Sequence, residues 1–162
     1  MAAFQNLFLF FLAFLFCPPC LSISIHDLLK SKGLPAGLFP KEVSNYTVSE
    51  SGLLQVFLDE PCLTKFDTMA FYDSVVTANL THGCLTGVQG FSQEELFVWL
   101  PVKDIIVDDP SSGLILIDIG LAHKQLSLSL FEDPPDCKKD AGGLGLKKKS
   151  RKAEKGLFEA QR

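Results

Sequence analysis

Past residue 22 the chain has no apolar run long enough to span a bilayer, which excludes a polytopic membrane protein. It has neither a sustained heptad pattern nor a Gly-X-Y period, so a coiled coil and a collagen-like chain are excluded as well. With 47% apolar and 21% charged residues among 162, it is not wholly disordered either. Residue types that carry chemistry are scarce. There are three His (His26, His82 and His123), one placed in a helix and two in turns. Gly90-Phe91-Ser92-Gln93-Glu94 fails the G-x-S-x-G nucleophile elbow at its last position. H-E-x-x-H, paired C-x-x-C and Walker patterns are missing beyond the leader, so no metal or cofactor is expected. The adjacent acids Asp108-Asp109 and Glu94-Glu95 would point to opposite faces of a strand and make no general acid/base pair.

What is present is unevenly spread. Six of the 14 Phe lie in residues 1–22. Leu7 to Phe16 is an apolar run, closed by Pro18 and Pro19 and followed by the small residues Cys20, Ser22 and Ser24. This reads as a secretory signal, residues 1–22, with cleavage after Ser22 or Ser24. Ten helical residues give about 15 Å against a hydrocarbon core of about 30 Å, which disfavours the alternative of a retained anchor. The stretch before the run carries no Lys or Arg, an atypical feature. Cys17-Pro18-Pro19-Cys20 looks like a redox C-x-x-C but falls inside the leader. Asn45-Tyr46-Thr47 and Asn79-Leu80-Thr81 are glycosylation acceptors, which would put Asn45 and Asn79 at the surface. Cys62, Cys84 and Cys137 remain beyond the leader. An oxidising lumen favours a bridge. Cys62–Cys84 is the expected pair, since both fall in the expected sheet and Cys137 falls in a polar stretch. Two buried free thiols are the alternative.

Charge divides the rest. Residues 25–137 carry six Lys/Arg and 16 Asp/Glu, whereas residues 138–162 carry nine and three. The chain therefore reads as a 23–137 body with a basic 138–162 tail. Few bulky apolar residues offset the ordering entropy of that tail, so disorder is expected there. Lys147, Lys148, Lys149, Arg151 and Lys152 suit an anionic polysaccharide or membrane surface; the alternative is a solvated tail resting on its own acidic body. Nucleic acid is not an expected partner of a secreted chain.

Ser24 and Asp27 form a capping-box pattern ahead of Leu28 and Leu29, and Gly33 with Pro35 stops the helix, so a short helix spans about 25–32. Period two follows. Strands are expected at Tyr46–Val48, Leu54–Leu58, Met69–Thr77, Cys84–Gly87, Leu96–Leu100, Val102–Val107, Leu114–Ile119 and Lys124–Phe131. Connections too short for helical crossovers imply antiparallel pairing. The fold class is mostly β, an antiparallel pseudo-barrel or sandwich with one short N-terminal helix.

Ile25 to Cys137 resembles the plant family called domain of unknown function 538. The resemblance is carried by His26-Asp27-Leu28-Leu29, by Gly33-Leu34-Pro35-Ala36-Gly37-Leu38-Phe39-Pro40, and by Phe97-Val98-Trp99-Leu100-Pro101-Val102. It implies a mostly-β pseudo-barrel with an N-terminal helix and no settled activity. Suggestions attached to the family are a likeness to lipid-binding bactericidal/permeability-increasing domains, chlorophyll binding and ester cleavage. Leu34, Leu38 and Phe39 either plug one end of the barrel or form an apolar lid over a ligand. Phe57, Phe97 and Trp99 either pack the core or line a cavity. The leading expectation is a non-catalytic secretory-pathway β protein, in the apoplast or the endoplasmic-reticulum lumen, binding a lipid-like or amphipathic molecule. A cell-wall or endomembrane interaction protein that uses the tail, and a weak carboxylic ester hydrolase, are the alternatives.

Overall fold

The computed structural model describes residues 23–138. The leader and the Lys147–Lys152 run lie outside the described residues. Ser24 caps helix α1 (Ile25–Ser31): its Oγ accepts the Asp27 N–H at 3.1 Å, as the capping box requires. Ile25 and Leu29 turn inward. Gly33 ends the helix at φ 74°, with the His82 ring lying where a side chain would go.

Nine strands follow in one antiparallel sheet: β1 (Val43–Val48), β2 (Leu53–Leu58), β3 (Cys62–Lys65), β4 (Met69–Thr81), β5 (Cys84–Glu95), β6 (Val98–Pro101), β7 (Asp104–Ile106), β8 (Leu114–Asp118) and β9 (His123–Ser127). The pairing order is β1-β2-β4-β5-β7-β8-β9, with β3 alongside β4 and β6 alongside β5. The molecule is thus mostly β, with one short N-terminal helix. The long β4–β5 hairpin is its axis, and glycines bend it. Between Tyr72↔Phe91 and Thr77↔Gln89, four residues of β4 face Gly90 alone. Gly90, at φ 80°, lets the Val75 carbonyl approach where any Cβ would clash. Gly87 makes a second bulge, its N–H bonded to Asp104 Oδ1 at 2.8 Å.

The sheet curls without a hydrogen-bonded seam, since β1 and β9 end the path. Side chains complete the curl. Phe66 meets Phe131 at 4.6 Å between ring centroids, and Lys124 reaches Glu95 at 2.7 Å and Asp67 at 3.4 Å. Inside, Tyr72 stacks on Phe91 (4.5 Å, 6°) among Leu54, Val56, Ile105 and Ile117.

Four expectations change. Strand β5 runs to Glu95 rather than stopping at Gly87, because its glycines form bulges instead of breaks. Leu96-Phe97 is a turn and not the start of a strand. Strand β3 was not foreseen behind Pro61. Leu128–Phe131 is a 3-10 turn, started by Ser127 Oγ accepting the Ser129 N–H at 3.3 Å.

The Cys62–Cys84 pairing is also corrected: Cys62 bonds Cys137, and Cys84 is free. Cys62 sits opposite Tyr72 and Cys84 opposite Thr81. Nine residues of β4, up to about 30 Å measured along the strand, lie between those levels. A disulfide needs Cα atoms within about 7 Å, and Cys62–Cys137 has 5.3 Å. The bridge holds the C-terminal segment on β3, where the Lys138 N–H donates to the Leu63 carbonyl at 2.8 Å. Lys41 pairs with Asp136 at 2.9 Å on the same segment, which raises the lysine's pKa.

Peptide mapping without reductant should recover Cys62 joined to Cys137 and an alkylatable Cys84. With the two cysteines 75 positions apart in sequence, the Cys137→Ser variant should lose about 4 kcal/mol in urea unfolding.

Candidate functional site

The Gly33–Pro40 segment is part of the core. Leu34, Leu38 and Phe39 are 1–3% exposed. His26 Nδ1 is 2.9 Å from the Ala36 carbonyl oxygen, and the Tyr72 hydroxyl donates to the Leu38 carbonyl at 2.8 Å. Gly37 allows a close approach of backbone: a Cβ there would sit 2.6 Å from the Phe131 carbonyl oxygen and 2.5 Å from that of Asp133. The segment is therefore clamped from both sides, by Tyr72 on β4 and by the chain after β9, and it acts as a plug. Burial pushes the Tyr72 phenol far above its ordinary pKa, and the Thr64 hydroxyl pulls weakly the other way.

The other apolar candidates do not converge on one cavity with these three. Phe57 is half-buried on the outer face of β2, in line with Asn45 and Val75. Trp99 is half-buried on β6, edge-on to Phe71 at 6.2 Å. Phe97 is 95% exposed. Asn45 on β1 and Asn79 on β4 are both exposed. His26 is committed to Ala36, and His123 lies 3.8 Å from Asp118 on the surface. Among the described residues, no group of three or more His, Cys, Asp or Glu side chains could hold a metal ion.

The feature that stands out is the tip of the β5–β6 hairpin. Glu95↔Val98 is its last pair, so Leu96 and Phe97 are a two-residue loop. Both have positive φ, 50° and 69°, and are the described non-glycine residues that do. Two positive φ values are the type I′ pattern, which favours Asn-Gly. Left-handed backbone costs an ordinary residue roughly 1–2 kcal/mol. The tip therefore carries strain and exposes two large apolar side chains, Leu96 at 91% and Phe97 at 95%, with Val98 at 55% beside them. Its root is fixed: Glu95 is held by Lys124 of β9, which also reaches Asp67 in the β3–β4 turn. Leu121, 86% exposed, crowns the β8–β9 turn. Sequence patterning read the Leu96–Leu100 run as strand. The five-residue run is of ordinary strand length, so nothing in its pattern marks the reversal at Leu96-Phe97.

The family model described as "Protein of unknown function, DUF538" matches residues 25–132. The chain belongs to that family. It is 32% identical over 85 residues to "Uncharacterized protein At5g01610" of Arabidopsis thaliana, a match covering 51% of this chain and 49% of the relative. The chain thus spans about half the length of the curated relative it matches. No solved structure matches the chain significantly.

The Tyr72→Phe variant leaves the Leu38 carbonyl without its partner in a dry site. It should lose about 1–3 kcal/mol in urea unfolding at neutral pH. Because the folded state raises the phenol's pKa, folding holds that proton more tightly than the unfolded chain does. The resulting stability is whole below the unfolded value of 10.0 and is lost as pH rises beyond it. Wild-type unfolding midpoints should fall steeply above pH 10, and those of Tyr72→Phe less so.

Proposed function

We propose that the protein is a non-catalytic component of the secretory pathway that docks reversibly on a lipid surface through the β5–β6 tip. The observation that carries this is Leu96 and Phe97, strained and almost fully exposed on a rigid root. Shape supports lipid over a protein partner. A stable protein interface covers about 800 Å² per side, whereas a two-residue convex tip offers a small fraction of that. A fluid apolar phase receives such a tip without needing complementary shape. Burying two such side chains contributes about 3–6 kcal/mol, comparable to one acyl chain and sufficient only for weak, reversible attachment. The Lys147–Lys152 run supplies a second, electrostatic contribution on an anionic surface, about 1 kcal/mol per basic residue near it. The disulfide, the two exposed acceptor asparagines and the apolar Leu7–Phe16 leader support an extracellular or lumenal address, with cleavage after Ser22 preserving the Ser24 cap.

The decisive variant converts Leu96-Phe97 to Asn-Gly. These residues tolerate the left-handed backbone, so thermal stability should hold or rise. Partition onto phosphatidylcholine vesicles containing phosphatidylserine, followed by co-sedimentation, should fall at least tenfold. Equal sedimentation of variant and wild type would refute the proposal, as would a wild type that stays in the supernatant.

A further inference from the structure

The outer face of β1-β2-β4-β5 is built from three cross-strand rows. Asn45, Phe57 and Val75 form one, on β1, β2 and β4. Leu53, Asn79 and Thr86 form another, on β2, β4 and β5. The row between them, from Thr47 to Gln89, is Thr and Gln alone. None of the three rows contains a charged residue, although the 25–137 body carries 16 Asp/Glu. An uncharged face with Leu53 39% and Val75 45% exposed invites self-association. Strand β1 is also an unpaired edge, which adds to that hazard.

Both glycosylation acceptors fall on this face, each directly beside the apolar residue that needs cover. Asn45 pairs with Phe57, and Asn79 pairs with Leu53. The local geometry leaves each amide nitrogen available. Asn45 Oδ1 is taken by the Tyr46 N–H at 2.8 Å, which frees Nδ2. Asn79 Nδ2 lies over Gly87, where a Cβ would be 3.8 Å away and no side chain stands. Each acceptor threonine, Thr47 and Thr81, is exposed two residues on, on the same side of its strand as its asparagine.

We infer that Asn45 and Asn79 both carry N-linked oligosaccharides, and that these two glycans are the occupants of the uncharged face. The first sugars lie over Phe57 and Val75 at one corner and over Leu53 at the other. In each attachment, Asn Nδ2 bonds the anomeric carbon of an oligosaccharide carried on a lipid diphosphate. The bond from that carbon to the diphosphate breaks, the diphosphate leaves with the electron pair, and Nδ2 gives up one proton. No oxidation or reduction is involved. The face is thereby closed to partners and the β1 edge is blocked, while the β5–β6 tip stays clear. This inference rests on the secretory address proposed above.

The test expresses the full chain in a secreting plant cell line and maps its glycopeptides by mass spectrometry, alongside Thr47→Val, Thr81→Val and the double variant. Valine keeps the β-branched shape of threonine and abolishes acceptor function. Wild type should be modified at both sites, and each single variant should lose one glycan. The double variant should bind several-fold more of an apolar fluorescent dye and sediment partly as dimers or larger species. A processed leader with Asn45 or Asn79 unmodified overturns this inference alone. A double variant that is monomeric with unchanged dye binding overturns the covering role. An intact Met1 without glycans overturns the secretory reading and this inference together. Vesicle co-sedimentation on the same samples reads the tip separately.

Discussion

Much of the architecture depends on one close approach, that of the Val75 carbonyl to the backbone of Gly90. Without it, β4 and β5 would form a long hairpin with only the usual gentle twist. With it, the hairpin folds over on itself, and its two halves serve different neighbours: β2 lies along the half of β4 after the bend, β3 along the half before it. The concave side gathers Tyr72, Phe91 and the Leu38–Phe39 plug into one core. The convex side becomes the outer face. A single sheet of nine strands thus gains an inside and an outside without a second sheet or a closed seam. A single absent Cβ decides which side is which.

Local signals were good guides wherever geometry and residue preference agree. Ser24 and Asp27 announce the helix start, Gly33 its end, and Leu54, Val56 and Leu58 the buried face of β2. The family resemblance held over the body. Legibility failed where a residue acts against its usual preference. Gly87 and Gly90 look like strand breakers and are bulges within a strand. Leu96 and Phe97 look like strand and occupy left-handed turn positions. Cys137 sits in a polar stretch behind Pro134-Pro135, and only the fold carries it back to β3. The candidate cavity residues share chemistry but not location, because alternation along a strand assigns a face and says nothing of which end or which side of a curled sheet receives it.

Strain and exposure at the β5–β6 tip point the same way. Selection for stability alone would place Asn and Gly there, at lower conformational cost and with no apolar surface in water. The ionic root formed by Glu95, Lys124 and Asp67 gives the loop something to be strained against. The plug, the tip and the outer face therefore divide the apolar surface into three fates: sealed within the core, presented to solvent, or lying under the acceptor asparagines.

The Cys62–Cys137 link encloses everything from β3 to β9 in one covalent ring. Chains are made from the N-terminus at about 5–20 residues per second. Cys62 therefore emerges several seconds before the only residue that bridges it, and β3 waits through that interval with its outer edge bare. The β2–β4–β5 portion must hold together by packing alone until the last turn of the body arrives. The ring records a finished fold rather than directing one, and a chaperone or oxidant acting early in synthesis would meet a free Cys62 thiol on an open strand.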